Sequence, residues 1–263
     1  MSEGNDKTVW LLNLGVEPYR PVLELQHRIV AAKKDGWRCD VLLLLEHEPV
    51  YTLGRHSDES FILADRKALE AQGIEVVRIE RGGEVTYHGP GQIVGYPILD
   101  LGHFRKDIRW YIGAMGDVII RTLADYGISG EFDPKYPGVW INGGKICAVG
   151  VKNERWVMYH GFAMNIDPDM EHWRGIVPCG LVGKDVATLA GALGWRPSSD
   201  EVRHRIATHF AEVYGCRVVP VDLDTLEAAL ADRTPLSSPI PEQELLSRHC
   251  EDRVSATKQS LSG

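Results

Sequence analysis

Between Arg81 and Gln92 the chain reads RGGEVTYHGPGQ, with four glycines and one proline in twelve residues. Such a stretch allows tight turns that few other compositions permit. Its glycines let backbone amides approach a ligand without Cβ obstruction, and Arg81, Thr86, Tyr87 and His88 set polar groups around that backbone. A surface hairpin with ordinary glycine turns has the same composition, so the residues alone leave both readings open. A nucleotide-phosphate loop fits poorly, because neither the P-loop nor the Rossmann glycine spacing is present.

Around this punctuation, short β-branched and aliphatic runs alternate irregularly with helical patterns. Thr8 to Leu14 has strand content, and Gly15 to Pro18 interrupts it. Val22, Leu25, Ile29 and Val30 then share one helical face, with Gly36 as the stop. Val41 to Leu45 is a buried strand, Arg66 to Gln72 a short helix, and Ile74 to Ile79 the next strand. Val85 to Tyr87 and Ile93 to Ile98 are strand-like pieces either side of the His88-Gly89-Pro90-Gly91 loop. Ile108 to Tyr126 carries the best helical stripe, ended by Gly127.

Lys145 to Val151 and Trp156 to Ala163 are strands joined by the polar connection Lys152 to Arg155, suited to a hairpin. Helices are predicted near Asp185 to Ala192, over Ser199 to Tyr214 and over Leu223 to Leu230, with a short strand between Gly215 and Pro220. No internal repeat is visible. The pattern predicts an α+β fold, a mixed β-sheet flanked by helices, in a single domain over residues 1–232. From Arg233 to Gly263 a polar tail rich in Pro and Ser is set apart from the core.

Composition narrows the function classes. A hydrophobic share of 44% over 263 residues supplies a sizeable core without disulfides. The five cysteines, Cys39, Cys147, Cys179, Cys216 and Cys250, are odd in number and lack zinc-site or redox-dithiol spacing. The acidic start resembles neither a signal nor a transit peptide, and no run approaches the roughly 20 apolar residues of a membrane span. A cytoplasmic, reduced protein with no membrane partner is expected. The net charge of −8 argues against general nucleic-acid binding.

Among the cysteines, Cys179 is the best nucleophile candidate, because Pro178 and Gly180 place it in a loop that can expose the thiol, whereas Cys147 sits in an apolar strand. A free cysteine is more commonly a small buried hydrophobe. Lys145, at the start of a strand, is by itself an ordinary solvated charge.

The segment RGGEVTYHGPGQIVGYPILDL, the 21 positions from Arg81 to Leu101, resembles the signature of the lipoyl(octanoyl) transferase family. The likeness runs from about Leu11 to Leu193 in the family's order: LLEHEPVYTLGR (Leu44 to Arg55), PGVWI (Pro137 to Ile141), GGKICAVGVK (Gly143 to Lys152), HGFAMNI (His160 to Ile166) and IVPCGL (Ile176 to Leu181). Ala148 stands where many members carry a hydroxyl residue, VATLA (Val186 to Ala190) is a loose form of its segment, and the tail after Arg233 is longer than the fold needs.

The resemblance implies a fold like that of the biotin and lipoate-protein ligases. It implies a catalytic pair, Cys179 and Lys145, in which the ammonium stabilises the attacking thiolate and the neutral amine moves protons. By the same likeness the acyl group lies against Arg81, Gly82, Gly83, Glu84, Val85, Thr86, Tyr87 and His88, against Ala148, Val149 and Gly150, and against Gly161, Phe162 and Ala163. His47, Tyr96 and His160 fall in the matching segments as supporting contacts, and Trp140, Trp156 and Phe162 are expected in the core or the pocket lining.

The implied donor is octanoyl-acyl carrier protein, and the implied acceptors are lipoyl domains of 2-oxoacid dehydrogenase complexes and the glycine cleavage H protein. No metal, cofactor or ATP is implied. Arg55, Arg81, Lys152, Arg155 and Lys184 are candidate docking cations for acidic partners. Two rivals remain: an ATP-dependent lipoate-protein ligase, and a non-catalytic acyl- or carrier-binding module.

Overall fold

The computed structural model describes residues 7–55, 57–177 and 185–232. Cys179, Lys184, Cys250 and the polar tail lie outside them. Eleven strands form two sheets among the described residues. The larger has the order β11-β1-β2-β6-β10-β9-β8-β7, built from β1 (Thr8–Glu17), β2 (Asp40–His47), β6 (Gln92–Asp100), β7 (Glu131–Phe132), β8 (Gly138–Ile141), β9 (Gly144–Glu154), β10 (Val157–Asn165) and β11 (Arg217–Pro220). β1 pairs in parallel with β2 and β11, and the other neighbours pair antiparallel, so the sheet is mixed. A three-stranded sheet, β4-β3-β5, comprises β3 (Val50–Leu53), β4 (Glu75–Arg78) and β5 (Thr86–His88).

Alternation along the central strands divides the core in two. Leu42 and Leu44 of β2, Ile93 and Leu99 of β6, and Phe162 and Met164 of β10 face α3 (Ile108–Ala124) and α6 (Ser199–Tyr214). Val41, Leu43 and Leu45, Val94, Tyr96 and Ile98, and Tyr159 and Ala163 face α1 (Tyr19–Lys34) and α7 (Leu223–Asp232). Three short α-helices, α2 (Arg66–Ala71), α4 (Met170–Trp173) and α5 (Leu189–Leu193), and a 3-10 turn at Glu59–Phe61 complete the described chain. No described helix is long and apolar enough to cross a membrane.

The structure departs from the sequence pattern at three places. β1 continues through Gly15 to Glu17, because a register shift against β2 between Asn13 and Val16 absorbs the glycine, and the break comes at Pro18, before α1. Lys152, Asn153 and Glu154 belong to β9 rather than to the hairpin connection. The turn is Arg155-Trp156, with φ of +53° and +73°, supported by the Trp156 amide donating to Asn153 Oδ1 at 3.0 Å. Two positive φ values match the twist of a hairpin, a geometry usually carried by Asn-Gly. Trp156 is therefore 39% exposed and not a core residue. Finally, α5 starts at Leu189, capped by Thr188, because Val186 is held in a parallel bridge to Lys145.

Candidate active site

A cavity of about 180 Å³ opens between the α1-facing side of the large sheet and the segment from Arg81 to His88. Its floor is made by small residues in register: Ala148 of β9 pairs with Ala163 of β10, which pairs with Val94 of β6, and Gly150 pairs with Gly161. Gly150 is tightly covered, since a Cβ there would lie 3.1 Å from the Gly82 carbonyl oxygen and 3.2 Å from Arg81 Cδ.

Lys145 reaches this floor through a bulge. Trp140 of β8 pairs with Lys145 while Val139 pairs with Cys147, so Ile146 is the extra residue. Ile146 and Cys147 consequently both enter the core on the other face, and Lys145 shares the cavity side with Ala148 and Gly150. The Lys145 ammonium lies 4.9 Å from the Trp140 ring centroid. Its backbone is held by the 185–187 segment: Lys145 N–H donates to the Asp185 carbonyl at 2.9 Å, and Ala187 N–H donates to the Lys145 carbonyl at 3.0 Å.

The loop above the floor is clamped rather than loose. Arg81 is buried, its Nη2 donating at 2.8 Å to both the carbonyl and Oγ1 of Thr52 and its Nη1 donating to the Gly82 carbonyl at 3.0 Å. Arg55 N–H donates to the Arg81 carbonyl, and Gly82 N–H donates to the Val151 carbonyl of β9. Gly54 is required here, because a Cβ would sit 1.8 Å from the Gly83 carbonyl oxygen. Glu84 Oε2 is buried without a hydrogen bond beside the cavity.

Exposure orients the cavity. Lys135 and Gly83 are exposed and Tyr136, Lys145, Ala148 and Gly150 half-buried, which marks the mouth along β9. On the β6 side Tyr19, His88, Tyr96 and His160 are all buried. His47 Nδ1–H donates to the Glu17 carbonyl at 3.0 Å, which leaves Nε2 to accept from the Tyr96 hydroxyl at 2.8 Å. Burial lowers the His47 pKa to about 4, so the ring is neutral at pH 7. Burial raises the phenol pKa values of both Tyr19 and Tyr96.

His88 Nδ1 meets Gln92 Oε1 at 2.7 Å, and Gln92 Nε2 donates to Asn165 Oδ1. Burial holds the His88 pKa well below its ordinary value. His160 adopts φ of +54°, its N–H donates to Gln26 Oε1 of α1, and its Nε2 stands 3.5 Å from Glu80 Oε1, an ion-pair distance without hydrogen-bond geometry. Burial lowers its pKa, opposed by Glu80.

The structure brings Arg81, Gly82, Gly83, Glu84, Val85, Thr86 and His88 to the cavity, together with Lys145, Ala148, Val149, Gly150, Gly161, Phe162 and Ala163. Tyr87 does not line it. On β5 it alternates away from Thr86 and His88, packs against Tyr51 and Trp173, and its hydroxyl meets His172 Nδ1 at 2.8 Å. Period-two alternation within TYH was the signal that separates it from its neighbours. Trp140 and Phe162 are buried as expected. Residues outside the sequence-derived binding set also line the cavity: Tyr19, Val94, Tyr96, Lys135, Tyr136 and His160. The three described cysteines are poor nucleophiles, since burial pushes the Cys39 thiol up to about 11 and those of Cys147 and Cys216 up to about 12.

The cavity is a slot floored by alanine and glycine, closed by buried side chains towards β6 and bordered by Lys145 along β9. The chain belongs to the family of the lipoyl protein ligase A/B catalytic domain, whose model matches residues 18–211. It is 46% identical over 227 residues to an octanoyltransferase of Gloeobacter violaceus, covering 84% of this chain and 96% of the relative. It is 47% identical over 210 residues to an octanoyltransferase of Solibacter usitatus, covering 80% and 94%.

Two solved structures share the fold at lower identity. A lipoate-protein ligase A bound with ATP gives a TM-score of 0.70 at 16% identity, covering 86% of this chain and 93% of that one. A bi-partite lipoate protein ligase from Thermoplasma acidophilum gives 0.69 at 17% identity, covering 86% and 91%.

Proposed function

We propose that this chain, in the cytoplasm, transfers an octanoyl group from octanoyl-acyl carrier protein to a lysine of lipoyl domains, those of 2-oxoacid dehydrogenases and the glycine cleavage H protein, through a thioester on Cys179. It is an acyltransferase of protein lipoylation, and the observation that carries this is the pairing of octanoyltransferase relatives at 46% and 47% identity with a narrow apolar cavity bordered by Lys145.

In the first half-reaction the Cys179 thiolate attacks the donor thioester carbonyl, the carrier thiolate leaves, and a proton returns to it. In the second, the acceptor lysine amine attacks the Cys179 thioester, the Cys179 sulfur leaves, and the amine loses a proton as the amide forms. Lys145 serves both halves, as the ammonium that favours thiolate and as the neutral base that takes the amine's proton. Exchange of one thioester for another is nearly isoenergetic, and amide formation drives the sequence without ATP.

Three features support this assignment of roles. Burial has made each described cysteine a weak nucleophile, the Asp185 carbonyl accepts from the Lys145 backbone N–H, and the bulge at Ile146 turns Lys145 to the cavity. Arg55 and Lys152 border a groove that shares Arg81 to Glu84 with the cavity, which suits them to docking an acidic partner. The ligase-like structures at 16% and 17% identity speak for the fold alone.

The test is incubation of the purified protein with octanoyl-carrier thioester and a lipoyl domain in the absence of ATP. Octanoylated lipoyl domain and a transient octanoyl adduct on Cys179, read by mass spectrometry, are expected. Strict ATP dependence would favour the ligase, and an unmodified Cys179 with no product would favour a binding module.

A further inference from the structure

Resting on the acyl-transfer reading, the geometry points to a chain-length stop: the buried wall made by Tyr19 and Tyr96, with His160 beside it, sets the eight-carbon limit of the acyl cavity. The floor crosses three adjacent strands, from Ala148 on β9 through Ala163 on β10 to Val94 on β6. Two ladder spacings amount to about 10 Å. An all-trans alkyl chain advances roughly 1.3 Å per C–C bond, so the seven bonds of an octanoyl group span about 9 Å, close to the length of the floor. Entering along half-exposed β9 beside Lys145, a chain of that length runs out of floor at β6, where Tyr96 stands.

The wall is rigid as well as correctly placed. Tyr96 donates to His47 Nε2, and His47 in turn donates to the Glu17 carbonyl. The Tyr19 ring stacks on His88 at 5.9 Å between centroids, with planes 9° apart. Tyr19 and Tyr96 are each 3% exposed, and His160 1%. Tyr96, held by its hydrogen bond to His47, and Tyr19, stacked on His88, cannot swing aside for two more methylenes without breaking those contacts. Tyr19 is the removable part of the stop: it comes from the first residue of α1 and joins a small cluster with Val50, Val77 and Ile79 rather than the central core.

The experiment compares kcat/KM for hexanoyl, octanoyl, decanoyl and dodecanoyl carrier thioesters, with calorimetric binding of the free fatty acids as a second readout. Tyr19→Ala is expected to raise the decanoyl-to-octanoyl ratio about tenfold or more in both, the discrimination that methylenes command in an apolar pocket. Tyr19→Phe keeps the ring and is expected to keep the wild-type ratio. Ala163→Leu, which fills the floor from the middle strand, is expected to shift preference the other way, lowering octanoyl relative to hexanoyl by a similar factor.

Unchanged ratios in folded Tyr19→Ala and Ala163→Leu proteins, with wild type transferring octanoyl, would overturn the stop and leave the transfer reading intact. A wild type that transfers no acyl group but whose fatty-acid binding still lengthens in Tyr19→Ala would overturn the transfer reading and keep the stop.

Discussion

On the face of the large sheet covered by α3 and α6, the buried side chains are mostly hydrocarbon, with Met115, Ile119, Phe162, Met164 and Phe210 packed in one cluster and the Tyr111 and Tyr214 hydroxyls each donating to a backbone carbonyl. On the opposite face, the same strands bury Gln26, His47, His88 and His160 along with two phenols and a cavity. The first face maximises apolar area removed from water, whereas the second spends area on hydrogen-bonded polar groups that hold a shaped space. Strand alternation lets one sheet do both, because neighbouring residues belong to different faces. A substitution on one face should therefore cost stability and on the other activity, and that contrast is testable residue by residue.

The largest effect is expected at Lys145. Lys145→Ala should lower the rate of lipoyl-domain acylation by about 100- to 10,000-fold, the range for losing a positioned acid-base group. The melting temperature should stay near wild type, because the half-buried side chain borders the cavity and is not packed in the core. The counterpart is Met115→Ala on the other face, where a fully buried side chain leaves a cavity. Urea denaturation should show a loss of about 3 kcal/mol, with kcat/KM for the surviving folded protein little changed. Equal effects of the two substitutions on stability would erase the distinction between the faces.

Most of the frame was legible in the sequence, since Ser199 to Tyr214 and the helix from Ile108 declare themselves by period, and the strands around Val41, Ile93 and Val157 by their apolar and β-branched runs. What escaped depends on pairing rather than on period. The bulge at Ile146, which decides the face Lys145 occupies, exists only because β9 is matched against the shorter β8. The Arg155-Trp156 turn carries no glycine or asparagine to announce it, and the left-handed φ of His160 lies opposite Pro97, whose missing N–H interrupts the β10-β6 ladder. Tyr19 precedes the visible apolar stripe of α1 and meets His88 only through the tertiary fold. For Cys179 the sequence remains the source, as its segment lies outside the described residues.

Acid should expose the polar face next. The folded His47 pKa of about 4 lies below the ordinary value of 6.5, so the unfolded chain binds a proton first as pH falls. The stabilisation is complete above about pH 6.5 and is lost progressively down to about pH 4, amounting to roughly 3 kcal/mol from this residue. His88 and His160 shift in the same direction and add to the slope. Denaturation series at half-unit pH steps should show this decline in wild type and a shallower one in His47→Gln. Parallel pH profiles for the two proteins would remove His47 from the account.

The smallest effect sharpens the comparison most, because it takes away one oxygen and no volume. Tyr96→Phe deletes the donor to His47 Nε2 while the ring still closes the cavity. Leaving a buried imidazole acceptor without its partner should cost about 1–3 kcal/mol by urea denaturation. The octanoyl-to-decanoyl ratio should stay within about twofold of wild type if ring volume makes the stop, far below the tenfold that one methylene commands in an apolar pocket. Should that ratio instead fall as it does in Tyr19→Ala, the hydrogen-bond chain itself holds the wall in place, and the polar groups of this face set specificity through rigidity rather than through volume.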